Sequence, residues 1–463
     1  MCGIAGAFHI KDASKTVSLM LKALQHRGQE AAGIVSADNG ALHEHRGFGL
    51  ADEAFARTTF ETDLPGNAAI GHLRYATSGN TRSLAEVQPL TASTLRHGPV
   101  ALAHNGNLTN DQVLRAELDR IGIIFRSGSD TETFLHLLAR SFGEEEYKRL
   151  LQVFGQVEGA YALLVMTPTT MYAAVDPAGM RPLVMARLSD GYLFASETCA
   201  FDLFRDVREV THVLPGQLIE LTEAGVRTHT FGRDSEVRHC AFEHIYFSRP
   251  DSIVFETSVD TVRQRLGRAL ARKNTVHTDV VIAVPDSSNA MALAYAEEAG
   301  LKFAFGLIRN HYTGRTFITP GQQNRELGVR MKLNAVHSVV NGRTVTVVDD
   351  SIVRGTTGKK VATLLREAGA REVHFRVGSP PVVSPCYWGI DTPSQSQLRA
   401  ANMCHDEICT FMGVDSLIHL TNEELLGELD DVHGERYCTS CFTGNKPLAD
   451  QLLPPEHLQR RSR

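Results

Sequence analysis

The sequence predicts an α/β protein of two domains, with an α+β first half and a second half built on a doubly wound parallel sheet. Its 463 residues are enough for two or three domains, each with a core of its own. In the first half, short strands and hairpins alternate with helical segments. After residue 240 the order becomes strand, helix, strand, for which right-handed crossovers give one parallel sheet.

The first half shows helical periodicity near residues 17–24 and 132–142, and strand-like runs at residues 161–166 and 171–175. This mixture predicts layered sheets flanked by helices. A charged segment at residues 233–238 marks the expected linker. We therefore expect one domain over residues 2–232 and a second over residues 240–463.

The second half begins with an amphipathic helix at residues 259–272, a buried strand at 279–284 and an alanine-rich helix at 289–299. Further strands are predicted at residues 303–308 and 344–348, and the latter is a β-branched run that suits the centre of a parallel sheet. Ligands of such sheets bind at the carboxyl ends of the strands.

The composition excludes several classes of function. With 43% hydrophobic and 22% charged residues, the chain has the composition of an ordinary globular protein. A net charge of −6 argues against a general nucleic-acid binder. Neither a targeting sequence nor an apolar run of membrane-spanning length is visible, so we expect a cytoplasmic protein without a membrane partner. In that compartment its eight cysteines are not expected to form disulfides.

Cys2 directly follows Met1 and precedes a strand-like run. If Met1 is removed, Cys2 carries both a thiol and a free α-amino group, whose unperturbed pKa of roughly 8 suits a general base. The nucleophile and its base then belong to one residue. The alternative is an inert buried thiol.

Four further motifs accompany Cys2, and they read QHRGQEAAGI (25–34), GHLRYATSG (71–79), HNGNL (104–108) and SDTE (129–132). With the opening CGI, they resemble the glutaminase domain of N-terminal nucleophile amidotransferases, which implies a four-layer α+β fold. In that family the cysteine attacks the side-chain amide of glutamine. The resemblance assigns the oxyanion hole to Asn105 and the Gly106 N–H.

The same resemblance assigns Arg27, Arg74 and Asp130 to glutamine binding. Arg74 pairs with the substrate α-carboxylate and Asp130 with its α-ammonium group, a charge-matched clamp that recognises a free amino acid. Asp130 is also predicted as a helix cap, because it follows Ser129 and precedes apolar residues at helical spacing. Both roles are compatible.

In the second half, residues 345–357 read VTVVDDSIVRGTT. Asp349 and Asp350 follow the predicted strand, and the loop through Gly355 opens a helix whose first N–H groups form an anion site. The carboxylates suit vicinal ribose hydroxyls, while Thr356 and Thr357 suit a 5′-phosphate. A phosphoribosyl site combines these features, although an isolated acidic pair is more often a solvated loop.

The segment resembles the phosphoribosyl pyrophosphate (PRPP) signature of type I phosphoribosyltransferases. A second loop, residues 285–288, resembles the family's pyrophosphate loop, and residues 312–318 with 325–333 resemble its closing lid. The resemblance implies Mg²⁺ held by Ser287, Asp349 and Asp350. It implies PRPP contacts for Asp286, Ser287, Lys332, Asp349, Asp350, Ser351, Arg354, Gly355, Thr356 and Thr357.

Cys438 and Cys441 form a CxxC, which alone fits half a zinc site, a redox pair or an iron–sulfur half-site. With Cys240 and Cys386, they match the ligand positions in the amidotransferase branch that carries a 4Fe-4S cluster. Such a cluster would cross-link the carboxyl-terminal tail to the second domain. A Cys₄ zinc site is the alternative. The other thiols, at Cys199, Cys404 and Cys409, are expected to be ordinary buried cysteines.

Taken together, these motifs resemble the glutamine phosphoribosylpyrophosphate amidotransferase family, in its iron–sulfur-containing branch. The resemblance implies that ammonia from glutamine attacks C1 of PRPP to give 5-phosphoribosylamine, glutamate and diphosphate, the first committed step of purine synthesis. It also implies feedback inhibition by purine nucleotides and a homotetramer. Two alternatives are a catalytically silent PRPP-binding regulator and a different glutamine-dependent sugar-phosphate amidotransferase, which would share only the first domain.

Overall fold

The computed structural model describes residues 1–75, 83–232, 235–310, 333–431 and 435–445. The predicted fold class is confirmed, because two antiparallel sheets in the first half are followed by a parallel sheet in the second. The strands of the first half are β1 (Gly3–Phe8), β2 (Ala31–Asp38), β3 (Ala41–Phe48), β4 (Ala68–Arg74), β5 (Leu90–Thr94), β6 (Gly98–Leu108), β7 (Gly159–Met166), β8 (Met171–Val175), β9 (Val184–Arg187), β10 (Tyr192–Ala195), β11 (Glu209–His212), β12 (Gln217–Thr222) and β13 (Gly225–Thr230).

These strands form two stacked sheets with the orders β11-β9-β10-β1-β4-β2-β3 and β13-β12-β8-β7-β6-β5. Ile4 and Ile70 from the first sheet meet Ala162 and Leu164 from the second in a shared apolar core. Helices cover both outer faces, as the alternation of strands and helices predicts. The helices of this half are Ala13–Ala23, Ala51–Ala54, Phe60–Asp63, Asp111–Arg120, Asp130–Arg140 and Glu146–Phe154.

The second half contains a parallel sheet of order β17-β20-β21-β22 with apolar cores on its two faces. Its strands are β14 (His239–Cys240), β15 (Ile253–Val254), β16 (Thr257–Ser258), β17 (Val280–Ala283), β18 (Leu307–Arg309), β19 (Leu333–Ala335), β20 (Thr344–Asp349), β21 (Glu372–Val377), β22 (Ser416–His419) and β23 (Tyr437–Cys438). Its helices are Val259–Arg272, Asn289–Glu298, His337–Val340, Thr356–Glu367, Arg399–Asn402, His405–Met412, Asn422–Glu428 and Ser440–Thr443.

One predicted strand is wrong. Residues 303–308 do not continue the parallel sheet as a single strand: Phe303 makes only an isolated bridge to Val281, and β18 pairs with β19 in a separate antiparallel ribbon. The chain passes very close to the sheet at Gly306, where an added Cβ would lie 2.5 Å from Ile282 Cγ2. The Gly306 N–H donates to the carbonyl of Ala304 at 3.0 Å, so the chain turns here and regular strand pairing ends.

The carboxyl-terminal segment returns to the start of the second half. There β23 pairs in parallel with β14, which sets Cys438 opposite Cys240. Asp431 fixes the approach of this segment, because its carboxylate accepts the N–H groups of Glu435, Arg436 and Tyr437, each at 2.9 Å. Cysteines that are far apart in sequence are thereby brought to one place.

Candidate functional site

Cys2 lies just before β1 at the edge of a pocket in the first half, and its thiol is partly exposed. Cys2 Sγ is 3.6 Å from the carbonyl oxygen of Tyr75. Burial raises the pKa of the thiol, and the nearby terminal amino group and Arg74 oppose that rise. The pocket is lined by Cys2, His72, Arg74, Tyr75, Glu86, Gln88, His104, Gly106, Ser129 and Asp130.

Arg74 and Asp130 bring opposite charges to this pocket. Burial acts to raise the pKa of Asp130, but His104 and the N–H of Leu108, which donates to Asp130 Oδ2 at 2.9 Å, hold it below its usual value. Asp130 therefore stays ionised at neutral pH. It is also the first residue of the helix Asp130–Arg140, which Ser129 caps by accepting the Thr131 N–H at 3.3 Å.

Asn105 and Gly106 stand side by side on β6. Asn105 is 1% exposed, and among the described residues neither oxygen nor nitrogen of its amide has a hydrogen-bond partner. A buried amide without a partner is costly, so it points to a role in binding a further group. Gly106 is required because an added Cβ would lie 1.9 Å from the carbonyl oxygen of Ala160 on β7.

Arg27 lies behind the nucleophile instead of lining the pocket. Its Nε donates to the carbonyl of Cys2 at 3.0 Å, and its terminal nitrogens pair with Glu197 and Glu243. The predicted contact with glutamine does not match this placement, since the guanidinium is 1% exposed and is engaged by buried carboxylates. Arg27 is positioned to orient the backbone of Cys2.

The second site forms where β17 and β20 end. Asp349 is the last residue of β20 and Asp350 follows it, and Ser287 from the β17 loop donates its hydroxyl to Asp350 Oδ2 at 2.5 Å. Burial raises the pKa of both aspartates, and the proximity of Asp350 further raises that of Asp349. Two buried carboxylates side by side favour a bound cation. Asp286, in the same loop, is exposed and pairs with Arg309 at 3.0 Å.

The loop after the aspartates opens the helix Thr356–Glu367. Gly355 precedes the helix with φ of 66°, a left-handed conformation that favours glycine. Thr356 and Thr357 are exposed in the first turn, so their N–H and hydroxyl groups are accessible to an anion. Ser351 donates its hydroxyl to Asp350 at 2.7 Å. Arg354 is exposed, and its Nε donates to Gln397 Oε1 at 3.2 Å. Lys332 and the predicted lid, apart from its last residue, lie outside the described residues.

Four thiols gather where the tail meets the second half. Burial raises the pKa of Cys240 to about 12, and the nearby thiols Cys386 and Cys438 add to that rise. All three thiols likewise add to the burial that lifts the pKa of Cys441 well above its ordinary value. No three metal-binding side chains in the described ranges are close enough to hold one metal ion.

Of the three other cysteines, which were expected to be buried, only Cys199 is buried. Cys199 is buried and its sulfur lies 3.8 Å from a carboxylate oxygen of Glu197. In contrast, Cys404 is exposed and Cys409 is half-buried, so the prediction was wrong for Cys404. Cys404 stands at the start of the helix His405–Met412, where the chain is open to solvent.

Tyr246 and Arg263 are notable residues that the sequence reasoning missed. Desolvation of the phenol raises the pKa of Tyr246 to about 12, and Asp350, Tyr75 and Asp349 add to this effect, while the residue as a whole is 48% exposed. Arg263 is 1% exposed and donates to three backbone carbonyls in the second half. Helical periodicity shows only that Arg263 lies on an amphipathic helix, so no sequence signal distinguishes it from a surface arginine.

Comparisons with known proteins agree with this arrangement. Residues 72–202 match the model of a glutamine amidotransferase domain. Amidophosphoribosyltransferase 2, chloroplastic, from Arabidopsis thaliana is 47% identical over 449 residues, which are 96% of this chain and 79% of that protein. Amidophosphoribosyltransferase from Bacillus subtilis is 43% identical over 459 residues, which are 98% and 96% of the two chains.

Two solved structures are also similar over nearly the whole chain. Glutamine PRPP amidotransferase from B. subtilis, complexed with ADP and GMP, has a TM-score of 0.91, 43% identity, and coverage of 98% of this chain and 99% of that one. A structure described as the allosteric regulatory enzyme of purine biosynthesis has a TM-score of 0.92, 43% identity, and coverage of 98% of each chain.

The fold is thus that of a glutamine amidotransferase joined to a phosphoribosyltransferase. The chain belongs to the amidophosphoribosyltransferase family. It is an enzyme that uses glutamine and PRPP to form 5-phosphoribosylamine, glutamate and diphosphate in purine biosynthesis. The match extends through both halves, which argues against an enzyme that shares only the first domain.

Proposed function

We propose that Cys2 hydrolyses glutamine and that the released ammonia attacks C1 of PRPP bound beside Asp349 and Asp350. The observation that carries this proposal is the pocket at Cys2, where a thiol lies with the opposite charges of Arg74 and Asp130. A free amino acid matches those charges, because its carboxylate and ammonium groups lie on one carbon. Residues 2–232 form the glutaminase domain and residues 240–463 the transferase domain in this proposal.

At the first site, the Cys2 sulfur attacks the amide carbon of glutamine. The thiol proton passes to an α-amino group and then to the departing ammonia, and water hydrolyses the resulting thioester to glutamate. The Asn105 amide and Gly106 N–H stabilise the negative oxygen of the tetrahedral intermediate. The proposed base is the α-amino group that Cys2 carries once Met1 is removed. In the structure the terminal amino group belongs to Met1, and burial lowers its pKa to about 5.

At the second site, Asp349 and Asp350 accept hydrogen bonds from the ribose hydroxyls. The 5′-phosphate binds the loop from Ser351 to Thr357, and Asp286, Ser287 and Arg354 bind the diphosphate. We assign Lys332, which lies outside the described residues, to PRPP binding as well. Ammonia donates its lone pair to C1 as the C1–O bond to diphosphate breaks, and the departing diphosphate carries away the bonding pair. The new ammonium group on C1 then loses one proton to solvent to give the amine. Excluding water protects the electron-poor C1 from hydrolysis.

Mg²⁺ fits the residues at this second site. Burial raises the pKa of Asp349 and Asp350, so their ionised forms are costly without a cation. Ser287 adds an oxygen ligand, and Mg²⁺ needs few protein ligands because it retains waters and binds substrate phosphates. When bound, the ion would supply charge neutralisation for the diphosphate.

A 4Fe-4S cluster fits the four thiols of Cys240, Cys386, Cys438 and Cys441, and we place the chain in the iron–sulfur branch. The thiols influence one another's pKa values, yet no three metal-binding side chains among the described residues converge on a single ion position. A Cys₄ set also suits zinc, and the resemblance of these four positions to cluster ligands is what favours the 4Fe-4S cluster. The group would supply a structural cross-link between the tail and the second half.

One relative supports a proposal about the regulation of this chain. The solved B. subtilis enzyme is complexed with ADP and GMP, which supports feedback inhibition of this chain by purine nucleotides. A nucleotide monophosphate shares the ribose 5-phosphate group of PRPP and could compete at the same loop. We also propose a homotetramer.

Within the described part of the chain, no helix is both long and apolar enough to span a membrane. The cytoplasmic location stays a prediction, because plant relatives are named chloroplastic.

Diphosphate release from PRPP tests the proposal. Wild-type enzyme with Mg²⁺ should release diphosphate with either glutamine or ammonia as the nitrogen donor. Cys2→Ala should lose at least about 100-fold of the glutamine-supported rate and retain the ammonia-supported rate, because the thiol serves only the first site. Unchanged glutamine use in this variant would contradict the assignment of Cys2. Binding of PRPP without turnover in the wild type would instead support a silent regulator.

A further inference from the structure

A short segment of the second half, residues 386–389, lies directly against the strand that carries Asn105 and Gly106. We call it the docking segment. Its closest approach is at Gly389, where an added Cβ would lie 2.8 Å from the carbonyl carbon of Gly106, 2.9 Å from the carbonyl oxygen and 3.0 Å from the Cα. Any side chain at position 389 would therefore push against the backbone of Gly106.

The side chain of Asn107 ties the docking segment to the same strand. Its Nδ2 donates to the carbonyl of Tyr387 at 2.8 Å, although the two residues are 280 positions apart in the chain. Asn107 directly follows Gly106 on β6, so this bond holds the chain on the carboxyl side of the glycine. Gly106 and Asn107 also pair with β7, at Tyr161 and Ala160.

The docking segment is itself held in place by two contacts with the first half. Arg181, which is 1% exposed, donates from Nε to the carbonyl of Trp388 at 3.0 Å. Trp388 is 5% exposed and belongs to a small apolar cluster with Ala160, Ala178 and Met180. The segment cannot leave β6 without breaking a buried hydrogen bond and opening this cluster.

The position of Gly106 matters because a hydrogen-bond donor stabilises the tetrahedral intermediate only where the negative oxygen forms. Glycine has the freest backbone of all residues, so the direction of the Gly106 N–H depends on what lies around it. The β6–β7 pairing confines the glycine within the sheet, and the docking segment adds a contact from outside the sheet. Neither contact is visible in the short motif that contains Gly106.

We propose that Gly389 and Asn107 are positioning residues for the oxyanion hole. The docking segment fixes the backbone of Gly106, and with it the direction of the N–H that receives the negative oxygen during glutamine hydrolysis. The inference rests on the proposed role of Gly106 in that reaction. None of the residues assigned to PRPP belongs to the docking segment, so its action is confined to the first site.

The first test adds one methyl group at the closest approach. In Gly389→Ala, kcat for glutamate formation with saturating PRPP and Mg²⁺ should fall about 10- to 100-fold, less than the loss expected when a whole oxyanion donor is removed. KM for glutamine should stay within about threefold, because the oxyanion contact forms only in the transition state.

Gly225→Ala is the matched control for this change. Gly225 has a φ of 114°, against 102° at Gly389, so alanine carries a similar backbone strain at both positions. An added Cβ at Gly225 meets no atom within 4 Å beyond its chain neighbours. This variant should therefore keep the wild-type kcat.

The second test changes the other half of the contact. Asn107→Asp keeps the size of the side chain but places an oxygen opposite the Tyr387 carbonyl, and the repulsion should lower kcat about tenfold with little change in KM. Asn110→Asp is the control, since Asn110 Nδ2 donates to the carbonyl of Gln156 at 2.9 Å, entirely within the first half. It should keep the wild-type kcat.

Two further measurements separate a displaced donor from general damage. The ammonia-supported rate should match the wild type in Gly389→Ala and Asn107→Asp, because the second site does not use the oxyanion hole. The rate at which iodoacetamide alkylates Cys2 should also be unchanged, because that reaction needs the thiol but no oxyanion donor.

Four results would overturn the positioning role. These are a wild-type kcat in both Gly389→Ala and Asn107→Asp, equal falls of kcat in the two control variants, a loss confined to KM, or a loss of Cys2 alkylation that matches the loss of kcat. All four leave the proposed function intact. Glutamine use by Cys2→Ala would be a separate failure, of the proposed function itself.

Discussion

Replacing Asp130 by asparagine should weaken glutamine use while leaving ammonia use intact. The carboxylate is held ionised in the pocket, because His104 and the Leu108 N–H outweigh the effect of burial on its pKa. Asparagine keeps an oxygen for the Leu108 N–H, now 2.9 Å from Asp130 Oδ2, so the fold should lose only about 1 kcal/mol. What is removed is the charge that faces the substrate ammonium group.

The size of the effect follows from the burial of that carboxylate. The Asp130 side chain is 11% exposed, so its attraction for an ammonium group is only partly screened by water. Loss of one partner from such a pair costs about 3 kcal/mol, which corresponds to about 100-fold in kcat/KM for glutamine. Most of that loss should appear in KM, since the clamp holds the substrate in both ground and transition states.

Steady-state rates with glutamine and with ammonia provide the assay, and Asp111→Asn provides the control. Asp111 also begins a helix and has a half-buried carboxylate, which accepts from Thr133 and Arg115 at 2.6 and 2.9 Å. It does not line the pocket, so its variant should keep kcat/KM within about threefold of the wild type. The reasoning is refuted if Asp130→Asn also stays within that range, or if it loses both activities equally.

Three further predictions concern the second site and the cysteines. The double variant Asp349→Asn, Asp350→Asn should lose both glutamine- and ammonia-supported synthesis, and near-normal PRPP turnover would exclude the proposed ribose contacts. Because burial raises the pKa of both aspartates, the unfolded chain ionises first as pH rises, and the wild type should lose stability relative to this double variant as the pH rises above about 4. Thermal melts across that range should show the gap widening with pH and narrowing on addition of Mg²⁺, whereas a gap independent of pH would contradict the sign. Anaerobically purified wild type should contain about four irons per chain, and so should the control Cys404→Ser, which changes an exposed thiol. Cys438→Ser should lose most of the iron. Stoichiometric zinc without iron in active wild type would overturn the cluster.

The sequence predicts correctly those helices and strands whose apolar pattern and end residues lie within one short segment. The helix Val259–Arg272 and the strand Met171–Val175 have the predicted bounds, because apolar periodicity and flanking residues act over a few positions. The segment at residues 303–308 was mispredicted for the opposite reason. Its apolar run favours a strand, but the close approach of Gly306 to Ile282 depends on another part of the sheet.

The site residues show the same contrast between what short motifs predict and what only the fold shows. Short motifs identified Cys2 and the pair Asp349 and Asp350, since each combines reactive side chains with a recognisable local context. The sequence could not distinguish a residue that contacts the substrate from one that positions a catalytic residue. Arg27 illustrates the difference. Within its motif it reads as a glutamine contact, whereas in the fold its guanidinium lies under Cys2 between buried carboxylates.

By itself, the sequence determined the two-domain α/β architecture, the nucleophile candidate and the phosphate loop, because these depend on residue type and short spacing. Only the tertiary structure decided which distant residues meet. Glu243 reaches Arg27 across 216 positions of the chain, and Cys438 lies opposite Cys240 through β14 and β23. Such contacts arise when separate elements bury their apolar faces together, and burial then fixes the charges and pKa values that no local pattern contains.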